Sequence, residues 1–151
     1  AEQVFYIKSW SYCNEILNVD RDQSAAKNCI ISLNRFVSLY PSSKNKESAK
    51  LQITKGQEFL VGQELTIAKY YLEKKNPSAA IRRLKHIRKT LKSSKVFPET
   101  AYCLLEAYLM MGLMDDALSE LKKMEKEFPG NSWTIEGSKL VTKFRPTKIA
   151  D

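Results

Sequence analysis

Along the chain, apolar positions recur at the three- and four-residue spacing of amphipathic helices, and short polar turns interrupt them, which predicts six or seven helices. The first covers about Glu2 to Leu17 and stops before the polar turn Asn18-Val19-Asp20-Arg21-Asp22. The second runs from about Gln23 to Leu39 and ends at Tyr40-Pro41, because proline cannot continue a helix and restricts the residue before it. A long third helix spans about Lys46 to Lys75. Gly56 and Gly62 inside it lower helix propensity, which predicts a weak point or a close helix contact there. Asn76-Pro77 supplies an N-cap and a first-turn proline for the fourth helix, about Pro77 to Leu91. The fifth starts after Pro98 and ends near Gly112, and the sixth covers about Asp115 to Phe128. Pro129-Gly130-Asn131 separates the sixth from a last helix, about Ser132 to Val141.

Two of these helices carry the same apolar stripe at one fixed offset. Ala80, Leu84 and Ile87 align with Ala117, Leu121 and Met124 at a spacing of 37 residues. The preceding helices align at the same spacing, Ile67 with Leu104 and Tyr71 with Tyr108. This resembles the tetratricopeptide pattern, whose usual period is about 34 residues. The second copy is nearly complete as Leu104, Tyr108, Gly112, Ala117, Leu121 and Pro129. The first departs from it, with Lys75 at the glycine position and Lys92 at the proline position, and an earlier half-copy ends at Leu33, Phe36 and Pro41. Small Ala80 and Ala117 let paired helices approach, and Tyr71 and Tyr108 fill the space between them. One pair cannot cover its own apolar faces, so pairs must stack.

Composition supports a helical reading. The 151 residues contain only 5 Gly and 5 Pro, few for the turns of a β-sandwich. No apolar stretch approaches the roughly 20 residues needed to span a bilayer. The opening Ala1-Glu2-Gln3-Val4-Phe5 has neither the basic start nor the apolar run of a signal peptide, and reads as a processed or cut end. Cys13, Cys29 and Cys103 are odd in number and lack the paired spacing of a zinc site, so all three are expected on helices as small apolar residues. Their usage leaves the compartment open.

Candidate chemistry is sparse. His86, the single histidine, is expected to face solvent among Arg82, Lys85 and Lys89, a poor setting for a general base or metal ligand. No nucleophile-elbow, zinc-protease, phosphate-loop or dinucleotide motif occurs. Asp115-Asp116 reads as favourable charge at a helix N-terminus rather than as an acid–base pair. Neither catalysis nor a cofactor nor a metal is expected.

The net charge of +8 invites a nucleic-acid reading. Nine Lys/Arg and no acid lie between Lys74 and Pro98, and an acidic-leaning segment follows from Glu99 to Glu127. Aromatic residues for base stacking are missing from the basic block apart from Phe97, so nucleic acid is the weaker reading. At 100° per residue Arg82, Lys85 and Lys89 point away from the apolar stripe, while Arg83 borders it. Arg83 can therefore pair with a carboxylate on an adjacent helix, Glu64 or Glu73, or with one on a partner protein.

A wider set of segments resembles the BamD family, the tetratricopeptide lipoproteins of the bacterial outer-membrane β-barrel assembly machinery. They are Val19 to Ser24, Phe36 with Tyr40 to Ser43, Glu64 to Tyr71, Ala79 to Arg83, Leu105 to Tyr108, and Phe128 to Trp133. The D-R-D-Q-S turn makes this likeness more specific than the repeat alone. Lys75, and Lys92-Ser93 where a Tyr-Pro turn is usual, depart from the family, as does the heavy lysine content.

The resemblance implies a chain lacking the lipid-bearing cysteine and first repeats, the C-terminal portion of a protein lipid-anchored at the periplasmic face of the outer membrane. It implies binding to the POTRA region of BamA and to other assembly-complex subunits, with unfolded outer-membrane proteins recognised through the missing N-terminal repeats. Arg83 stands where the family has an arginine implicated in communication with BamA.

The expected architecture is an all-α, tetratricopeptide-like α-solenoid of stacked antiparallel helix pairs with one long inter-repeat helix and a concave binding face. Residues 1–141 form the repeat domain and residues 142–151 a basic tail. The expected function is that of a non-catalytic scaffold, with Arg83, Arg82, Glu64, Tyr71 and Tyr108 as candidate protein-binding residues. The competing readings are another tetratricopeptide adaptor and a basic nucleic-acid-binding helical protein.

Overall fold

The computed structural model describes residues 1–15, 23–90 and 95–145, and among them every regular element is a helix. These are α1 Glu2–Glu15, α2 Gln23–Leu39, α3 Lys46–Glu73, α4 Pro77–Thr90, α5 Phe97–Met110, α6 Met114–Glu127 and α7 Ser132–Phe144. The expected end of the first helix, the 18–22 turn, Leu91, Lys92-Ser93 and the last six residues lie outside the described residues. The chain divides into two compact units, Ala1–Gly62 and Gln63 onward, and α3 contributes to both.

In the first unit α1 packs on α2. Its core gathers Cys13, Cys29, Leu33, Phe36, Ala49 and Ile53, with Phe5, Tyr6 and Tyr40 against them. Tyr40 ends α2 as its proline neighbour requires, while Ser43 Oγ accepts from the Asn45 N–H just ahead of α3. A Cβ on Gly56 would meet Ile30 Cγ1 at 3.1 Å, so this glycine permits a close α2–α3 approach. A Cβ on Gly62 would meet nothing within 4 Å, so of the two glycines Gly56 is the one whose missing side chain lets a neighbour in.

The cysteines correct the sequence reading. Cys13 and Cys29 do sit buried on α1 and α2, but they are joined in a disulfide, with Cα atoms 4.9 Å apart. Only Cys103 is a free buried thiol. The odd count concealed the pair, because which cysteines meet depends on how α1 docks on α2.

The second unit realises the repeat. α5 packs on α4, α6 and α7, and α6 on α7, so each helix touches its neighbour and α5 also reaches the helix after next. Ala80, Leu84 and Ile87 are fully buried, as are their counterparts Ala117 and Met124. The helix ends repeat as closely as the stripes. After α3, the Lys75 N–H donates to Leu72 O and Asn76 N–H to Tyr71 O; after α5, Gly112 N–H donates to Leu109 O and Leu113 N–H to Tyr108 O. Both are Schellman closures, which need a left-handed residue at the corner. Gly112 supplies it at φ +72° and Lys75 at φ +58°, so the lysine has taken the glycine's conformation.

Asn76 caps α4, its Oδ1 accepting from the Ala79 N–H, and Asn131 caps α7 through the Trp133 N–H. Asp115 and Asp116 lie in the first turn of α6, where the helix dipole favours them. α7 continues to Phe144 rather than ending at Val141, so it runs into the segment read as tail. It stops where Arg145, which precedes a proline in the sequence, takes an extended ψ of 130° that cannot continue a helix. These features make the chain an all-α, tetratricopeptide-like protein.

Candidate protein-binding site

Arg83 borders the buried stripe of α4 because it precedes Leu84, and this places its guanidinium against α3. Its Nη1 donates to Glu64 Oε2 at 2.8 Å, and its Cζ lies 5.6 Å from the Tyr71 ring centroid. Of the two acids that spacing allowed, Glu64 is the partner. That hydrogen bond raises the Arg83 pKa further, opposed by partial desolvation. The side chains remain 35% and 23% exposed, so the pair contributes at most about 1 kcal/mol. A guanidinium carries five N–H donors, and one carboxylate does not use them all.

Around Arg83 a groove of about 540 Å³ is lined by Arg82, Lys85, His86 and Lys89, with Glu64 its single acid. Arg82, His86 and Lys89 are exposed, as the helical angle predicts. Lys85 is exposed too, yet its ammonium lies 5.9 Å from the Tyr108 ring centroid, since a long stem can bend back over apolar surface. Tyr108 itself is largely buried, and Tyr71 is half-buried. The structure therefore brings Arg83, Arg82, Glu64 and Tyr71 to one neighbourhood, with Tyr108 under its lysine edge. The arrangement can bind anions and carboxylates through cations held on one helix face.

Sequence reasoning missed a second ion-paired centre. Arg88, counted only among the basic residues, donates from Nη1 to Glu120 Oε1 at 2.6 Å and lies 3.6 Å from Glu127. Glu120 is 3% exposed, and burial raises its pKa more than the attraction of Arg88 lowers it. The signal was present in the repeat: Glu120 stands 37 residues after Arg83, at the same edge of the equivalent stripe. Across α3 and α5, Lys69 pairs with Glu99 at 2.6 Å. Burial pushes the Cys103 thiol up to about 12. Among the described residues no group of three or more His, Cys, Asp or Glu could hold a metal ion, and no helix is long and apolar enough to cross a membrane.

Stacked helix pairs with a cation-lined groove define a helical-repeat protein. Residues 1–124 match the family model YfiO, outer membrane lipoprotein, and the chain belongs to that family. It is 31% identical over 141 residues to the outer membrane protein assembly factor BamD of Caulobacter vibrioides, covering 93% of this chain and 46% of that protein. Against the BamD of Rickettsia prowazekii it is 30% identical over 141 residues, covering 93% and 56%. The BamD of Vibrio cholerae is 26% identical over 117 residues, covering 76% and 48%. The chain thus spans about half the length of the curated relatives it matches.

Proposed function

We propose that this chain is a non-catalytic scaffold of outer-membrane protein assembly, and that the Arg83 groove on α4 binds the POTRA region of BamA. Relatives over nearly the whole chain are named as assembly factors of this kind. The observation that carries the site is Arg83 itself, positioned by Glu64 and Tyr71 at the edge of a groove with four further basic side chains. An acidic patch on the partner can accept the remaining guanidinium donors without displacing Glu64.

The proposed location is the periplasmic face of the outer membrane, with the longer protein held there by an N-terminal lipid. The Cys13–Cys29 disulfide suits that compartment, since the bacterial periplasm is oxidising and the cytosol is not. Nucleic acid is disfavoured by the same geometry. Tyr71 and Tyr108, the aromatics against Arg83 and Lys85, already carry those cations on their rings.

The test is a pull-down and titration of the folded chain with the POTRA domains of the cognate BamA. Binding is expected, and Arg83→Leu should weaken it more than Lys89→Leu. Absence of binding at tens of micromolar by a chain shown folded by circular dichroism would overturn the reading, and equal effects of the two substitutions would remove the special role of Arg83.

A further inference from the structure

A second groove in the same unit has the opposite character. It is about 330 Å³ and lies among α3, α5 and α7. Two aromatics line it, Tyr102 of α5 and Trp133 of α7, with ring centroids 5.1 Å apart and planes tilted by 46°. Both are half-buried, so each keeps part of its ring accessible. Asn131 positions Trp133 by capping α7, and the Thr134 hydroxyl, which donates to Phe128 O, fixes the start of that helix. The platform is therefore built on helix termini held by hydrogen bonds.

The charges beside it are mostly negative. Glu73, Glu99 and Glu106 line the groove, with Lys69 and Lys75 as its two cations. Glu99 is neutralised by Lys69 at 2.6 Å. The carboxylates of Glu73 and Glu106 have no hydrogen-bonded or ion-paired partner among the described residues. With Lys69 and Lys75 counted against the three glutamates, the lining keeps a net negative charge beside its aromatic pair, opposite in sign to the cation-lined α4 groove.

We propose that this groove docks a peptide segment of a partner protein that presents an arginine beside an apolar residue. The guanidinium plane stacks on the Tyr102–Trp133 pair, where a cation on an indole face gains most. Its N–H donors reach the free carboxylates of Glu106 and Glu73, and the apolar neighbour covers the exposed part of the rings. An acidic segment is repelled from the same place. The α4 groove and this one then take partners of opposite charge, so one unit can engage two segments at once. This assignment does not depend on the identity of the α4 partner.

The probe is an acetylated and amidated Leu-Arg-Leu peptide, titrated into the folded chain and followed by amide and indole chemical shifts. Shifts are expected at Tyr102, Glu106 and Trp133, with little change along α4. Leu-Glu-Leu should not bind, and the citrulline peptide, which keeps the shape and loses the charge, should bind about tenfold more weakly. Glu73→Gln with Glu106→Gln should weaken the arginine peptide by a similar factor, while the exposed control Glu125→Gln leaves it unchanged. These surface substitutions leave the core intact, so a lost response reports the groove. The proposal is overturned if the arginine peptide does not bind, if it perturbs α4 instead, or if the glutamate peptide binds as well. Failure here leaves POTRA binding through Arg83 standing, and failure there leaves this groove untouched.

Discussion

The Arg88 guanidinium of α4 meets the Glu120 carboxylate of α6 at 2.6 Å, joining two helices of successive repeats through a carboxylate that is 3% exposed. Removing Arg88 leaves that buried carboxylate to the more distant Lys123, at 3.9 Å. Arg88→Ala is expected to destabilise the second unit by about 3 kcal/mol, whereas Arg88→Met combined with Glu120→Leu should recover most of that loss. Urea unfolding of both variants checks it; equal destabilisation by the single and double variants would show that the pair matters for shape rather than charge.

The same carboxylate makes stability depend on pH. Burial raises the Glu120 pKa above its ordinary value despite Arg88. The folded chain therefore takes up this proton at a pH where the unfolded chain does not. The stabilisation from protonation is fully present below the ordinary glutamate pKa and is lost as pH rises through the folded value. Glu120→Gln should abolish this component. Comparing the urea midpoints of the two proteins between about pH 4 and pH 7 measures it, with the wild type falling relative to the variant as pH rises.

The disulfide between α1 and α2 closes a loop with a sequence separation of 16. Replacing both partners, Cys13→Ser with Cys29→Ser, should lower the stability of the first unit by about 3 kcal/mol. Amide hydrogen exchange on α1 should accelerate in the variant, and reductant should bring the wild type to the same rate. A wild type insensitive to reductant would contradict this.

Lys75 and Gly112 occupy equivalent corners with positive φ. A side chain there costs about 1 kcal/mol. Lys75→Gly is therefore expected to raise the thermal midpoint slightly, and Gly112→Ala to lower it by a comparable amount. Opposite signs in the two melts are the signature.

Helix punctuation was largely legible because its chemistry is local. Tyr40-Pro41, Asn76-Pro77 and Gly112 act within a few residues, and the structure places the helix ends beside them. Stripe periodicity also sufficed to put Arg83 at the edge of α4, but it left two acids in reach, because a helical angle gives a direction and not a distance. The bond between Cys13 and Cys29 and the pairing of Arg88 with Glu120 were not legible for a related reason. Each depends on how separate helices dock, and neither partner carries a local mark of the other. The end of α7 falls at Phe144 rather than at the expected Val141, and the residue after it, Arg145, is extended.

The buried Cys103 has a consequence for how the chain matures. Three cysteines permit three different single bridges, and two of them would use Cys103. Once the second unit is folded, that thiol is buried and held protonated, with a pKa pushed up to about 12, so it is a weak nucleophile. Oxidation after folding therefore favours the Cys13–Cys29 link, whereas oxidation of the extended chain can yield all three. The fidelity of the cross-link is thus a race, and the repeat that folds around Cys103 referees the chemistry of a helix pair at the other end of the sequence.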